Sequence, residues 1–138
     1  MKEMRGTLTY KDTDYDLVFD LNVMEQIQDE YGTIERWSEL TDGKEIVLDK
    51  NGDPLIDDNG DPITKPKEVD ARALKFGIWC MINEGIEIKN EEEGSDLKPI
   101  TKNQVGRMLT TYGLAKATEI ANQSVIDSII TDDAEKNL

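Results

Sequence analysis

Residues 49–68 hold the chain's densest run of candidate metal-binding oxygens. Asp49, Asn51 and Asp53 recur eight residues later as Asp57, Asn59 and Asp61, each set at alternate positions. A calcium loop takes oxygen ligands at positions 1, 3 and 5, glycine at 6 and a bidentate glutamate at 12. Counted from Asp57, Glu68 falls at 12, but Pro62 stands at 6. Counted from Asp49, Pro54 stands at 6 and Gly60 at 12. Proline holds φ near about −65° and cannot make the sharp turn that glycine makes there. The spacing points instead to two turns. Asn51-Gly52 and Asn59-Gly60 suit the type I′ turn that joins antiparallel strands. Pro54 and Pro62 lack an amide donor and suit strand edges. The expectation is an inserted, projecting hairpin at about 44–68, without metal.

Other chemistry is scarcer. The chain has no histidine, which removes imidazole acid–base and nucleophile arrangements. Cys80, the single cysteine, cannot form an intramolecular disulfide. It sits between Trp79 and Met81 in an apolar run, where burial raises a thiol's pKa and makes it inert. There is no P-loop, dinucleotide fingerprint or zinc spacing. Close carboxylate pairs are expected by chance among thirty acids, and Glu91-Glu92-Glu93 reads as a solvated charge run. No catalytic residue, cofactor or metal ligand emerges, and the expectation is a protein that binds rather than catalyses.

The 138 residues carry 16 bases against 30 acids, a net charge of −14. Such a field repels nucleic-acid phosphates and anionic membranes. It is uneven. Residues 1–43 hold eleven acids and four bases, 84–96 six and one, and 97–138 five of each. The neutral last third is the better place for a partner face. The start, "MKEMRGTLTYKD", lacks the apolar core of a signal peptide, and no apolar run reaches membrane-span length.

These residues must be positioned by an α+β fold: a small N-terminal β-hairpin packed on about five helices. Alternation in "GTLTYKDTDYDLVFDL" predicts strands at about 5–11 and 15–20 around a turn at Lys11-Asp12-Thr13-Asp14. "NVMEQIQDEYG" predicts a helix capped by Asn22 with Glu25 at the capping-box position, ended by Gly32. Thr33 caps the next, with Ile34, Trp37 and Leu40 as its stripe. Asp70 caps a helix over 70–84 that Gly85 ends, and the acidic stretch 87–99 reads as a loop. Thr101 and Gln104 form a capping box opening a helix to Tyr112, and a last helix covers about 114–130. The single domain would span 1–131, with 132–138 a frayed tail.

Helix 70–84 is apolar nearly all round, so it is either central in the core or covered by another chain. Phe76 and Trp79 on it, Trp37 before it, and the off-stripe pair Ile126 and Ile130 are the partner-interface candidates. Each is alternatively a core residue.

Three stretches in this order resemble the tail assembly chaperones of long-tailed, siphovirus-type bacteriophages and prophages of Gram-positive bacteria. They are "LTYKDTDYDLVFDLNVMEQIQDEYGTIERWSEL", "ALKFGIWCMINEGIEI" and "ITKNQVGRMLTTYGLAKATEIANQSVIDSI". The resemblance spans about 5–130 outside the insert. It implies a small, self-associating α+β protein without catalysis. Such a protein coats the aggregation-prone tape measure protein and helps recruit tail tube protein. It would act in the host cytoplasm, outside the mature virion. A phage tail or head–tail structural subunit and an acidic DNA mimic are the alternatives. On this reading Ile126→Asp with Ile130→Asp disrupts partner or oligomer binding and leaves the monomer folded. Sedimentation and circular dichroism check it; collapse of the fold would make the pair core.

Overall fold

A computed structural model describes residues 5–123. Strand β1 (Arg5–Tyr10) pairs antiparallel with β2 (Thr13–Val18), placing Leu8 opposite Tyr15 and Tyr10 opposite Thr13. The connection is Lys11-Asp12 alone, both at positive φ (49° and 64°), a two-residue turn whose twist matches the strands it joins. It is tighter than the four-residue turn that composition suggests. Leu8 and Leu17 are fully buried on the inner face.

Helices α1 (Leu21–Tyr31) and α2 (Ile34–Thr41) follow. The cap of α1 is Asp20, which accepts a 3.1 Å bond from the Val23 amide, and not Asn22. Asp and Asn cap equally well. Burial decides between them, because Phe19, Val23 and Ile27 enter the core together and place the break at Asp20. Thr33 caps α2 as its sequence position predicts, accepting from the Arg36 amide.

Asp70 caps α3 (Ala71–Glu93), the central element, against which β2, α1, α2 and α4 all pack. Leu74, Ile78, Met81 and Ile82 form its expected buried face, and Ala73 and Cys80 are buried on the other side. The helix does not stop at Gly85. A Cβ there would sit 2.8 Å from the Asp16 carbonyl oxygen, so this glycine lets strand β2 lie against the helix. Gly77 serves α2 in the same way, since a Cβ would meet the Trp37 ring at 2.3 Å. Trp37 is wholly buried there, and its indole N–H donates to the Ala73 carbonyl at 2.8 Å.

The helix therefore carries the acids at 87–93, which sequence assigns to a loop, and ends at Gly94 (φ 66°). The chain then runs back along α3, held by two asparagine side chains that each grip both backbone groups of one residue. Asn83 bonds the Ile100 amide and carbonyl (2.8 and 3.1 Å), and Asn90 bonds those of Leu97 (2.9 and 3.0 Å). Helix α4 (Lys102–Tyr112) opens on the expected Thr101–Gln104 capping box. At its far end the Tyr112 hydroxyl accepts the Thr9 amide at 2.7 Å, tying α4 to β1. A fifth helix, α5, is described over 114–123, with Ala117 and Ala121 buried. No helix among the described residues is long and apolar enough to cross a membrane.

Between α2 and α3 the segment 44–66 forms a separate arm, stemmed by β3 (Lys44–Ile46) and β4 (Thr64–Pro66).

Alanine normally favours a helix over glycine by about 1 kcal/mol, but the added methyl must fit. Gly77→Ala and Gly85→Ala are each expected to lower stability by about 1–3 kcal/mol through overpacking. Gly106→Ala, whose Cβ would meet only the Lys75 side chain at 3.4 Å, is expected to hold or raise it. Urea denaturation of the three variants decides; equal effects would remove the close-approach account.

Candidate partner-binding surfaces

Phe76 and Trp79, one helical turn apart on α3, are brought together with Tyr31 of α1 in one row of rings. Tyr31 meets Phe76 edge-on at 5.7 Å, and Phe76 meets Trp79 tilted at 5.9 Å. Both α3 aromatics are half-buried. The Trp79 indole donates to the Ile100 carbonyl at 2.8 Å. The Lys102 ammonium lies over both rings, 4.8 Å from Trp79 and 5.4 Å from Phe76, within cation–π range. The row is thus largely closed by the chain's own α4. Inside it the Tyr31 hydroxyl is buried without a hydrogen-bond partner among the described residues, and burial pushes its pKa up. Trp37 is no interface residue in this fold, because nothing of it reaches the surface. Ile126 and Ile130 lie outside the described residues.

Cys80 belongs to the same side of α3. Burial pushes its thiol up to about 12, so it stays protonated and unreactive at neutral pH.

Among the described residues Glu84 is the one buried acid, and the sequence does not distinguish it from its neighbours. It is 9% exposed and faces the start of α1, where the Asn22 side-chain amide donates to it at 2.9 Å. A hydrogen bond shared with the Asp20 carboxyl, followed by burial, raises its pKa to about 7. The Asn22 bond works against this, and the charges of Asp20 and Glu87 add to it. A near-neutral acid beside a second carboxyl is a pattern catalysts use. Here Asp20 is already capping α1 and Glu84 is already gripped by Asn22, so both carboxyls serve to join α1 to α3. A groove of about 820 Å³ lies elsewhere, between the residues that flank the arm (Gly43, Lys67, Val69) and α5 (Leu114, Thr118, Asn122).

The arm is the surface that the interface candidates omit. Its turns differ from expectation: neither Asn51 nor Asn59 has positive φ, while Gly52 and Gly60 do (83° and 84°). Gly52 N–H bonds back to Asp49 C=O, Asp49 N–H bonds to Asp53 C=O, and the second copy repeats both bonds at Asp57 and Asp61. This is a type I turn closed by a left-handed glycine, the three-residue hairpin loop, and not a type I′ turn. The carboxylates of Asp49 and Asp57 each accept two amides of their own loop, at 2.8–3.0 Å. They are turn-forming groups. Among the described residues no three acidic or thiol side chains gather into a metal site.

The doubled motif is nearly a tripled one. "EIVL", "DPLI" and "DPIT" follow at eight-residue spacing. Val47 N–H bonds Ile63 C=O, Ile63 N–H bonds Leu55 C=O, and Leu55 N–H bonds Val47 C=O, a closed ring of three bonds at 2.8–3.0 Å. Leu48 bridges Pro54, Ile56 bridges Pro62, and Ile46 pairs with Thr64. Paired residues share a face, and so do alternate residues of a strand. Ile46, Leu48, Pro54, Ile56 and Pro62 therefore lie on one face of the arm. Ile46, Leu48 and Ile56 are 49, 57 and 52% exposed. The eight-residue period in the sequence was the signal for this face.

Compared with family models, curated proteins and solved structures, the chain matches none.

The Glu84 geometry gives a pH dependence with a definite sign. Its folded pKa, about 7, exceeds the ordinary 4.5. The fold thus favours the protonated acid. That stability is full below pH 4.5 and is lost as pH rises through 7. Glu84→Gln mimics the protonated side chain. It is expected to be the more stable protein at pH 8 by about 1–2 kcal/mol, with the advantage gone at pH 4. Urea midpoints at the two pH values test this; parallel profiles for both proteins would refute the shared-proton account.

Proposed function

We propose that this chain is a non-catalytic binding protein of phage tail morphogenesis, a tail assembly chaperone. It holds the tape measure protein in solution and helps recruit tail tube protein. The observation that carries the reading is an apolar face left open on an otherwise acidic molecule. Ile46, Leu48 and Ile56 are exposed on that face of the arm, with Leu55 and Ile63 exposed beside it at the alternate positions, on a chain of net charge −14. A holdase needs both: apolar surface to meet an aggregating client, and charge to keep the complex dissolved. The resemblance of the hairpin, the central helix and the paired C-terminal helices supports the same reading. It also accords with an inert, buried Cys80 and a Glu84 engaged in joining helices. Self-association accompanies this role, and the host cytoplasm is where it would be exercised.

The test is co-expression with a tape measure protein, the long coiled-coil client that this reading expects a neighbouring gene to encode. The soluble fraction of that client is expected to rise several-fold over expression alone, and the two are expected to co-elute on size exclusion. A client that stays in the pellet at every expression ratio, beside a chain that remains monomeric at high concentration, would end the tail-chaperone reading.

A further inference from the structure

The arm's apolar face has a definite chemistry, and it selects an occupant. We propose that Ile46, Leu48, Ile56 and the flanking prolines form a docking platform for a basic amphipathic helix of another protein. Three features argue for this. The platform's rim is acidic: the two loops beside it, 49–53 and 57–61, hold five acids (Asp49, Asp53, Asp57, Asp58, Asp61) against Lys50. A partner whose apolar stripe is bordered by lysine or arginine gains at the rim what an acidic partner would lose. A second copy of this chain would bring the same acidic loops to this face and is disfavoured there.

The platform is also preorganised. The ring of bonds among Val47, Leu55 and Ile63, and the Asp49 and Asp57 carboxylates inside their loops, fix the backbone before any partner arrives. Little ordering then remains at binding. Finally, the partner docks by side-chain packing and not by adding a strand. Pro54, Pro62 and Pro66 remove amide donors that an incoming strand would need. Ile46, Leu48 and Ile56 would receive two or three apolar residues spaced i, i+3 and i+7 on such a helix.

The inference does not rest on the tape-measure reading, and a client that stays insoluble leaves it standing. The probe is a fluorescein-labelled amphipathic peptide of leucine and lysine, about 18 residues or five turns long, titrated with the full chain by fluorescence anisotropy. The control has glutamate in place of every lysine. The leucine–lysine peptide is expected to bind at least tenfold more tightly than the control. Leu48→Asp with Ile56→Asp is expected to weaken it at least tenfold, although two added negative charges would strengthen a purely electrostatic association. A second variant, Asp53→Asn with Asp58→Asn and Asp61→Asn, keeps the apolar face and is expected to bind several-fold more weakly with a shallower salt dependence. Equal binding of both peptides, or undiminished binding by the Leu48/Ile56 variant, would overturn the proposal. So would a wild-type chain that self-associates in sedimentation while the Leu48/Ile56 variant is monomeric, since the occupant would then be a second copy.

Discussion

Two missing methyl groups set the geometry of this protein. At Gly77 and Gly85 helix α3 has no side chain, and two neighbours come in where a Cβ would stand: the Trp37 ring and the backbone of β2 at Asp16. Each glycine weakens the helix intrinsically by about 1 kcal/mol. Each allows a contact that outweighs this, because a buried tryptophan with a satisfied indole N–H is among the largest single contributions a small core can hold. The rest of the body follows from that approach. The hairpin can rest on the helix only because Gly85 admits it, and α2 can pack on it only because Gly77 does. Glu84 is buried because its neighbour in sequence is where the strand presses in. Its proton-sharing with Asp20 is the local result of placing an acid at that seam.

Much of this was legible from local signals. Thr33, Asp70 and the Thr101–Gln104 pair start their helices where their types and spacing say, since capping is decided within four residues. The hairpin and the buried stripes of α1 and α3 also follow from periodicity. What escaped depends on residues far apart in the chain. Gly85 reads as a helix stop until Asp16 is known to lie against it. Asn83 and Asn90 look like ordinary polar positions, yet their spacing of seven puts them on one face, where they hold the returning segment to Leu97 and Ile100. Asn22 and Asp20 are equally good caps, and only the burial of Phe19 separates them. Trp37 looks the same in sequence whether its stripe meets its own core or a stranger's. The arm's aliphatics repeat with the same eight-residue period as its oxygens, so the period marks both sets alike and does not say which faces outward.

Charge and apolar surface are partitioned in a way that composition alone does not convey. On the body, the aromatic row is roofed by Lys102, Cys80 is sealed and Trp37 is enclosed. The arm does the reverse. Its hydrogen bonds are closed among its own residues, and its aliphatic side chains are turned outward. Among the described residues the exposed aliphatics of the arm stand together, whereas those of the body, Leu21, Leu97 and Leu114, stand on separate elements.

The stem of the arm has a consequence for how such a chain can change over time. The Lys67 amide bonds the Gly43 carbonyl at 2.9 Å, so the chain leaves the body and returns to it through neighbouring atoms. For the core, everything between is one closed excursion, and the entropy of closing it varies only slowly with its length. The excursion can therefore be rewritten, lengthened by another eight-residue unit or exchanged for a different recognition surface, while Gly77, Gly85 and their partners keep the scaffold unaltered. On the proposed reading, specificity and foldability are carried by separate stretches of sequence, and selection can act on one without disturbing the other.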